Sequence, residues 1–134
     1  RPDWDAVANR LGEPAAPRAT VTWVLGEAPL RYYLTHGATQ SKPSEGAIQL
    51  KAAEPYAWLV REIAFVSDGP AQPPNRRLLG PGFRQVAYEE AGRLFVRRYR
   101  LARPGLAPLR LRQVRKARLH WRNNGVLLDG VGPK

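Results

Sequence analysis

The residues from Arg93 to Arg122, RLFVRRYRLARPGLAPLRLRQVRKARLHWR, include ten arginines, one lysine and no acid. A guanidinium grips phosphate through two parallel hydrogen bonds where lysine acts as a point charge, so such a run calls for an anionic partner. Nucleic acid, a membrane surface and a phosphorylated ligand are the classes that qualify. Arg97, Arg98, Arg100, Arg110, Arg112 and Arg115 are the candidates for anion or membrane contact. A merely solvated face would use the same residue types, and an arginine-, alanine- and proline-rich composition also follows from a GC-rich coding sequence.

Single-stranded nucleic acid is held by phosphate contacts combined with base stacking, and Arg97, Arg98 and Arg100 are interleaved with Phe95 and Tyr99. Packing within a strand accounts for those aromatics equally well. No RNP motif, zinc knuckle or helix-turn-helix pattern accompanies them. A basic nucleic-acid-binding module therefore stands as the alternative function, with nucleic acid disfavoured as a partner.

Other chemistry is sparse. The two histidines, His36 and His120, are far apart and lack H-x-x-x-H spacing, so no metal site is expected. Ser41, Ser44 and Ser67 read as loop serines, because no G-x-S-x-G turn is present. Gly80-Pro81-Gly82 is followed by neither G-x-G-x-x-G nor a G-K-[ST] ending and does not cradle a phosphate. Asp3 and Asp5 lie at a helix start, which favours acids for its own electrostatic reasons. No catalytic residue and no cofactor is expected; a stand-alone enzyme would need a set built around His36 and the loop from Ala38 to Gly46.

The elements that must carry these residues belong to a chain of 134 residues, which suits a single domain over residues 1–134. Its formal charge of +11 is uneven: residues 1–67 carry seven basic and seven acidic side chains, and residues 68–134 carry fifteen and four. Without cysteine there is neither a disulfide nor a thiolate metal site, and the redox compartment stays open. No stretch of 18 apolar residues offers a membrane span, and no n-region followed by an h-region is found, so neither a span nor a signal peptide is expected within these residues. The absence of methionine, even at the start, suggests a piece of a longer protein.

PDWDAVANRLGEP reads as a helix, with Asp3 as N-cap, Trp4, Val7, Ala8 and Leu11 at helical spacing, and Gly12 and Pro14 ending it. ATVTWVLG reads as a buried strand, and EAPLRYYLTHG as a helix with Pro29 in its first turn. A loop from Ala38 to Gly46 leads to AIQLKA, a short strand, and to YAWLVREIAF, a central strand apolar on both faces through Leu59 and Val60. SDGPAQPPNRRLLGPG is a long connection in which only NRRLL has helical character. FRQVAYEEAGRLFVRRYRLA forms an antiparallel hairpin around EEAG, its second arm at a sheet edge. Beyond it, RNNG suggests a second hairpin ending in VLLD, with a helix over RQVRKARL as the competing reading. The expected fold class is α/β: a small mixed sheet, two or three helices and a C-terminal antiparallel hairpin region.

The succession of RPDWDAVANRL, VTWVLGEAPLRYYL, AWLV and FVRRYRL resembles the soluble C-terminal domain of bacterial polytopic glycosyltransferases of the protein mannosyltransferase and aminoarabinose transferase type. Arg1, Asp3, Trp4, Ala8 and Leu11 match that family's opening helix, and Leu30, Tyr32, Tyr33 and Leu34 match its L-x-Y-Y-L helix. Asp5 departs from the arginine common there, and the basic segment after Arg103 is longer than the family pattern. The resemblance covers most of residues 1–101. It implies an extracytoplasmic accessory domain of a membrane enzyme that uses a polyprenyl-phosphate sugar donor, with the catalytic acid elsewhere in the polypeptide. Its implied partners are the membrane domain of the same polypeptide and anionic lipid or the polyprenyl-phosphate sugar. Surface attraction to anionic lipid, on the order of 1 kcal/mol for each basic side chain, then answers what the arginines face.

Overall fold

The computed structural model describes residues 4–12, 14, 16–23, 29–30, 33–34, 48–50, 57–69, 79, 82–116 and 124–129. The chain opens with helix α1 (Trp4–Leu11), whose Val7 and Leu11 are buried as the apolar spacing requires. Gly12 closes it in the left-handed region, φ 65°, and donates its N–H to Ala8 O at 2.9 Å, a one-bond C-terminal cap. Asp3, the expected N-cap, lies outside the described residues.

Strands β1 (Arg18–Trp23), β2 (Ile48–Leu50), β4 (Glu62–Asp68), β5 (Phe83–Ala91), β6 (Leu94–Leu101) and β8 (Asn124–Asp129) make one six-stranded sheet in the order β2-β8-β1-β4-β6-β5. Strands β3 (Ala57–Val60) and β7 (Ala107–Arg110) pair separately as an antiparallel ribbon. In the large sheet β1 and β4 run parallel and every other pairing is antiparallel, so the sheet is mixed, as expected. A second short helix, α2 (Leu111–Lys116), follows β7 directly and packs against β7 and β8. Gln113 Oε1 accepts from the N–H of Arg110, the reach-back half of a capping box.

The described residues are mainly strand, and the α/β expectation is corrected to a mainly β fold with a mixed sheet. YAWLVREIAF is not one strand. It breaks at Arg61, where the chain leaves the ribbon for the sheet: the N–H groups of Arg61 and Glu62 both donate to Pro17 O, at 2.8 and 3.2 Å, and the Arg61 carbonyl accepts from Leu101 N at 2.9 Å. The central strand is β4, with six consecutive residues from Glu62 buried; Leu59 lies in the ribbon and is 61% exposed.

The hairpin of residues 83–101 is present, but β5 runs through EEA and the loop is only Gly92-Arg93, with Gly92 at φ 64°. Strand β6 is not an edge: it lies between β4 and β5, and β5 takes the edge. At the C-terminal end α2 occupies 111–116, and β8 pairs with β1 and β2. The RLHW arm of the second hairpin lies outside the described residues. Within the second expected helix, Pro29, Leu30, Tyr33 and Leu34 have helical backbone, and Leu30 and Leu34, one turn apart, are buried. Of NRRLL only Leu79 is described, in helical conformation and buried.

Candidate functional site

The pairing of four adjacent strands sets Arg18 beside Glu62, Glu62 beside Arg100, and Arg100 beside Arg84. Directly paired residues project to the same face, so these charges form a row across β1, β4, β6 and β5. Arg98, two residues from Arg100 on β6, joins that face by strand alternation. The end of α1 borders the same place: Arg98 Nη1 donates to Arg10 O at 3.5 Å.

Glu62 is the hub. Its side chain is 11% exposed and accepts from Arg98 Nε at 3.3 Å, from Arg98 Nη2 at 3.0 and 3.2 Å, and from Arg100 Nη2 at 3.1 Å. Arg18 Nη1 stands 4.0 Å from Glu62 Oε2. Arg18 is 1% exposed, and its guanidinium donates to Leu11 O at 2.7 Å and Gly12 O at 3.0 Å, two carbonyls that the end of α1 leaves unmade. Arg61, at the break between β3 and β4, donates Nη1 to Arg103 O at 2.7 Å and Gly105 O at 3.1 Å and so ties down the loop after β6. Around these groups is an open cleft of about 390 Å³, with Pro14 and Ala16 on its apolar side and Arg18, Arg61, Glu62, Arg98 and Arg100 supplying the polar one.

The six arginines expected to act together are divided by this architecture. Arg98 and Arg100 enter the cleft. Arg97, next to Arg98 in sequence, takes the other face of the sheet, where its guanidinium lies 4.0 Å from the centre of the Tyr88 ring and Nη1 donates to Gln85 Oε1 at 2.7 Å. Arg110 ends the ribbon, and Arg112 and Arg115 stand exposed on α2. The interleaved aromatics serve packing: Phe95 stacks on Tyr88 with ring centres 5.9 Å apart, and Tyr99 meets Phe65 edge-on at 5.9 Å. Burial pushes the Tyr99 phenol above its usual value of 10.0, and the charge of Arg97 and its hydrogen bond pull it part of the way back.

Arg18, Arg61 and Glu62 were not among the residues singled out from sequence. Their signal is a charge set at the start of an apolar strand: Arg18 ahead of ATVTW, and Arg61-Glu62 inside WLVREIAF. Among the described residues no three His, Cys, Asp or Glu side chains gather to hold a metal, and no helix is long and apolar enough to cross a membrane.

A second surface is the outer face of the ribbon. Trp58, Val60, Ala107 and Leu109 turn inward and are buried, while Leu59 and its partner Pro108 turn outward with Arg110. Leu106, two residues before Pro108, is exposed as well. Exposed Arg103, Arg112, Arg115 and Lys116 flank this apolar row in sequence, and residues 93–116 contain no acid. Compared with protein-family models, curated proteins and solved structures, the chain matches none.

Proposed function

We propose that this domain is a non-catalytic accessory module of a membrane glycosyltransferase that uses a polyprenyl-phosphate sugar donor, and that it rests on the extracytoplasmic face of an anionic bilayer. The observation that carries the membrane contact is the ribbon: Leu59 and its partner Pro108 are exposed, as is Leu106, and Arg103, Arg110, Arg112, Arg115 and Lys116 are exposed on the adjoining stretches of the chain. Apolar tips entering the headgroup region with arginines around them is the arrangement a lipid surface rewards, since long basic side chains bury their stems and keep their charges at the phosphates. Each basic residue near such a surface contributes on the order of 1 kcal/mol, so several together give measurable binding. The attribution to a glycosyltransferase is supported by the resemblance of residues 1–101, and the engagement of Phe95 and Tyr99 in packing favours this reading over a nucleic-acid module.

Co-sedimentation with vesicles tests the contact. Binding is expected to vesicles containing anionic lipid, to be weak on neutral ones, to decline with salt, and to fall when Leu59 is replaced by Asp or when Arg112 and Arg115 are reversed to Glu. Equal binding to neutral and anionic vesicles, or no change in these variants, refutes the membrane contact. The attribution to the enzyme class predicts apolar spans of about 20 residues encoded ahead of Arg1. A polar coding sequence there removes that attribution and leaves the vesicle result standing.

A further inference from the structure

We propose that the cleft walled by Arg18, Arg61, Arg98 and Arg100 is a binding site for a phosphate group. Among the described residues its polar lining holds four guanidinium groups and one carboxylate, that of Glu62, so these residues give it an excess of positive charge in a partly enclosed space. At about 390 Å³ the cleft admits a phosphate with a substituent and lies in the range of small-molecule sites, roughly 300–1,000 Å³.

Glu62 orients the arginines more than it neutralises them. It takes Nε and Nη2 of Arg98 but only Nη2 of Arg100, which is 52% exposed. Arg61 uses only Nη1, on the carbonyls of Arg103 and Gly105. Among the described residues, the other guanidinium nitrogens of Arg61 and Arg100 meet no protein acceptor, and both line the same cleft. Arg18 is immobilised against the end of α1 and Arg98 against Glu62, so two of the four charges are fixed before any ligand arrives. Charges fixed in this way lose little entropy on binding, and the donors left on Arg61 and Arg100 are the ones that reach phosphate oxygens. A dianion suits the charge excess better than a carboxylate does.

The residues that line the cleft are not those of the lipid-facing row, and phosphate binding itself is read without a membrane. The experiment is titration calorimetry of the folded chain with inorganic phosphate and with pyrophosphate, at constant ionic strength set by chloride. Saturable binding is expected, weakened at least about tenfold in Arg100→Gln or Arg61→Gln, as the loss of a charge-assisted hydrogen bond implies. Arg97→Gln, on the opposite face, is expected to bind as the parent does. Arg100 is half exposed, so its variant is expected to fold, and circular dichroism checks this; Arg61→Gln serves if it does not. No heat above the chloride blank, or equal weakening in Arg97→Gln, overturns the proposal. The source of the phosphate is read by repeating the vesicle assay with Arg100→Gln. Reduced vesicle binding assigns the site to a lipid headgroup, and unchanged vesicle binding assigns it to a soluble phosphate compound.

Discussion

Replacement of Glu62 by Gln keeps the side chain's shape and one acceptor oxygen but removes the charge on which three arginines converge. The pairs it breaks are unequal. Arg18 and Arg98 have side chains only 1% and 18% exposed, whereas Arg100 is half exposed. Removing one partner of a buried ion pair costs about 3–5 kcal/mol, because the other charge is left buried; exposed pairs contribute about 0–1 kcal/mol. The backbone acceptors of Arg18, Leu11 O and Gly12 O, survive the change and soften its effect. The expected loss is therefore at the low end, about 3 kcal/mol, or roughly 10 °C in Tm for a chain of this size. Urea unfolding of Glu62→Gln beside Arg100→Gln measures it, with the second variant losing no more than about 1 kcal/mol. If the two variants lose the same amount to within about 0.5 kcal/mol, Glu62 is not the hub described and the buried pairs carry no special weight.

Two further outcomes follow from single residues. Gly82 has φ 100°, and a Cβ there would stand 3.2 Å from Leu101 Cδ1, so Gly82→Ala is expected to lose about 2 kcal/mol in urea unfolding; a neutral result would show that the turn into β5 relaxes freely. The Tyr99 phenol has a folded-state pKa above 10.0, so the folded state holds that proton more tightly than the unfolded chain. Its contribution to stability is complete below pH 10 and is lost as the pH rises from there through the folded value. Tyr99→Phe is expected to flatten the alkaline limb of stability against pH, and an unchanged limb would assign that loss to other groups.

The legible parts of the fold were those with strong local patterns. Helix α1 could be read because Val7 and Leu11 fall one turn apart and Gly12 ends the run, and the 83–101 hairpin because two β-rich arms flank a glycine. The class was misjudged because WLVREIAF, an apolar run interrupted only by Arg61-Glu62, bends at Arg61 to serve two sheets, and because β8 returns to pair with β1 in the middle of the large one. The charged pair Arg61-Glu62 is the one local trace of the break, and the pairing of β8 is decided at long range. For the candidate site, alternation along β6 does separate Arg97 from Arg98 and Arg100, but which face would meet Glu62 depends on the register between strands 36 and 38 residues apart in sequence.

Arg18 explains why a charge is placed where an apolar residue would ordinarily pack. An apolar side chain of similar size would bury comparable surface but leave Leu11 O and Gly12 O without a donor, and an unmade buried hydrogen bond costs about 1–3 kcal/mol. Exchange of an ion pair for apolar residues is often neutral, but only where neither partner has another task. Arg18 caps α1 as well as facing Glu62, so the pair cannot be traded away without opening the helix end. The same constraint fixes the cleft: once Arg18 is committed to α1, Glu62 is drawn inward beside it, and Arg98 and Arg100 follow the carboxylate to the mouth. A cationic pocket built in this way is a by-product of closing a helix, and the excess charge at its rim is what remains available to a ligand.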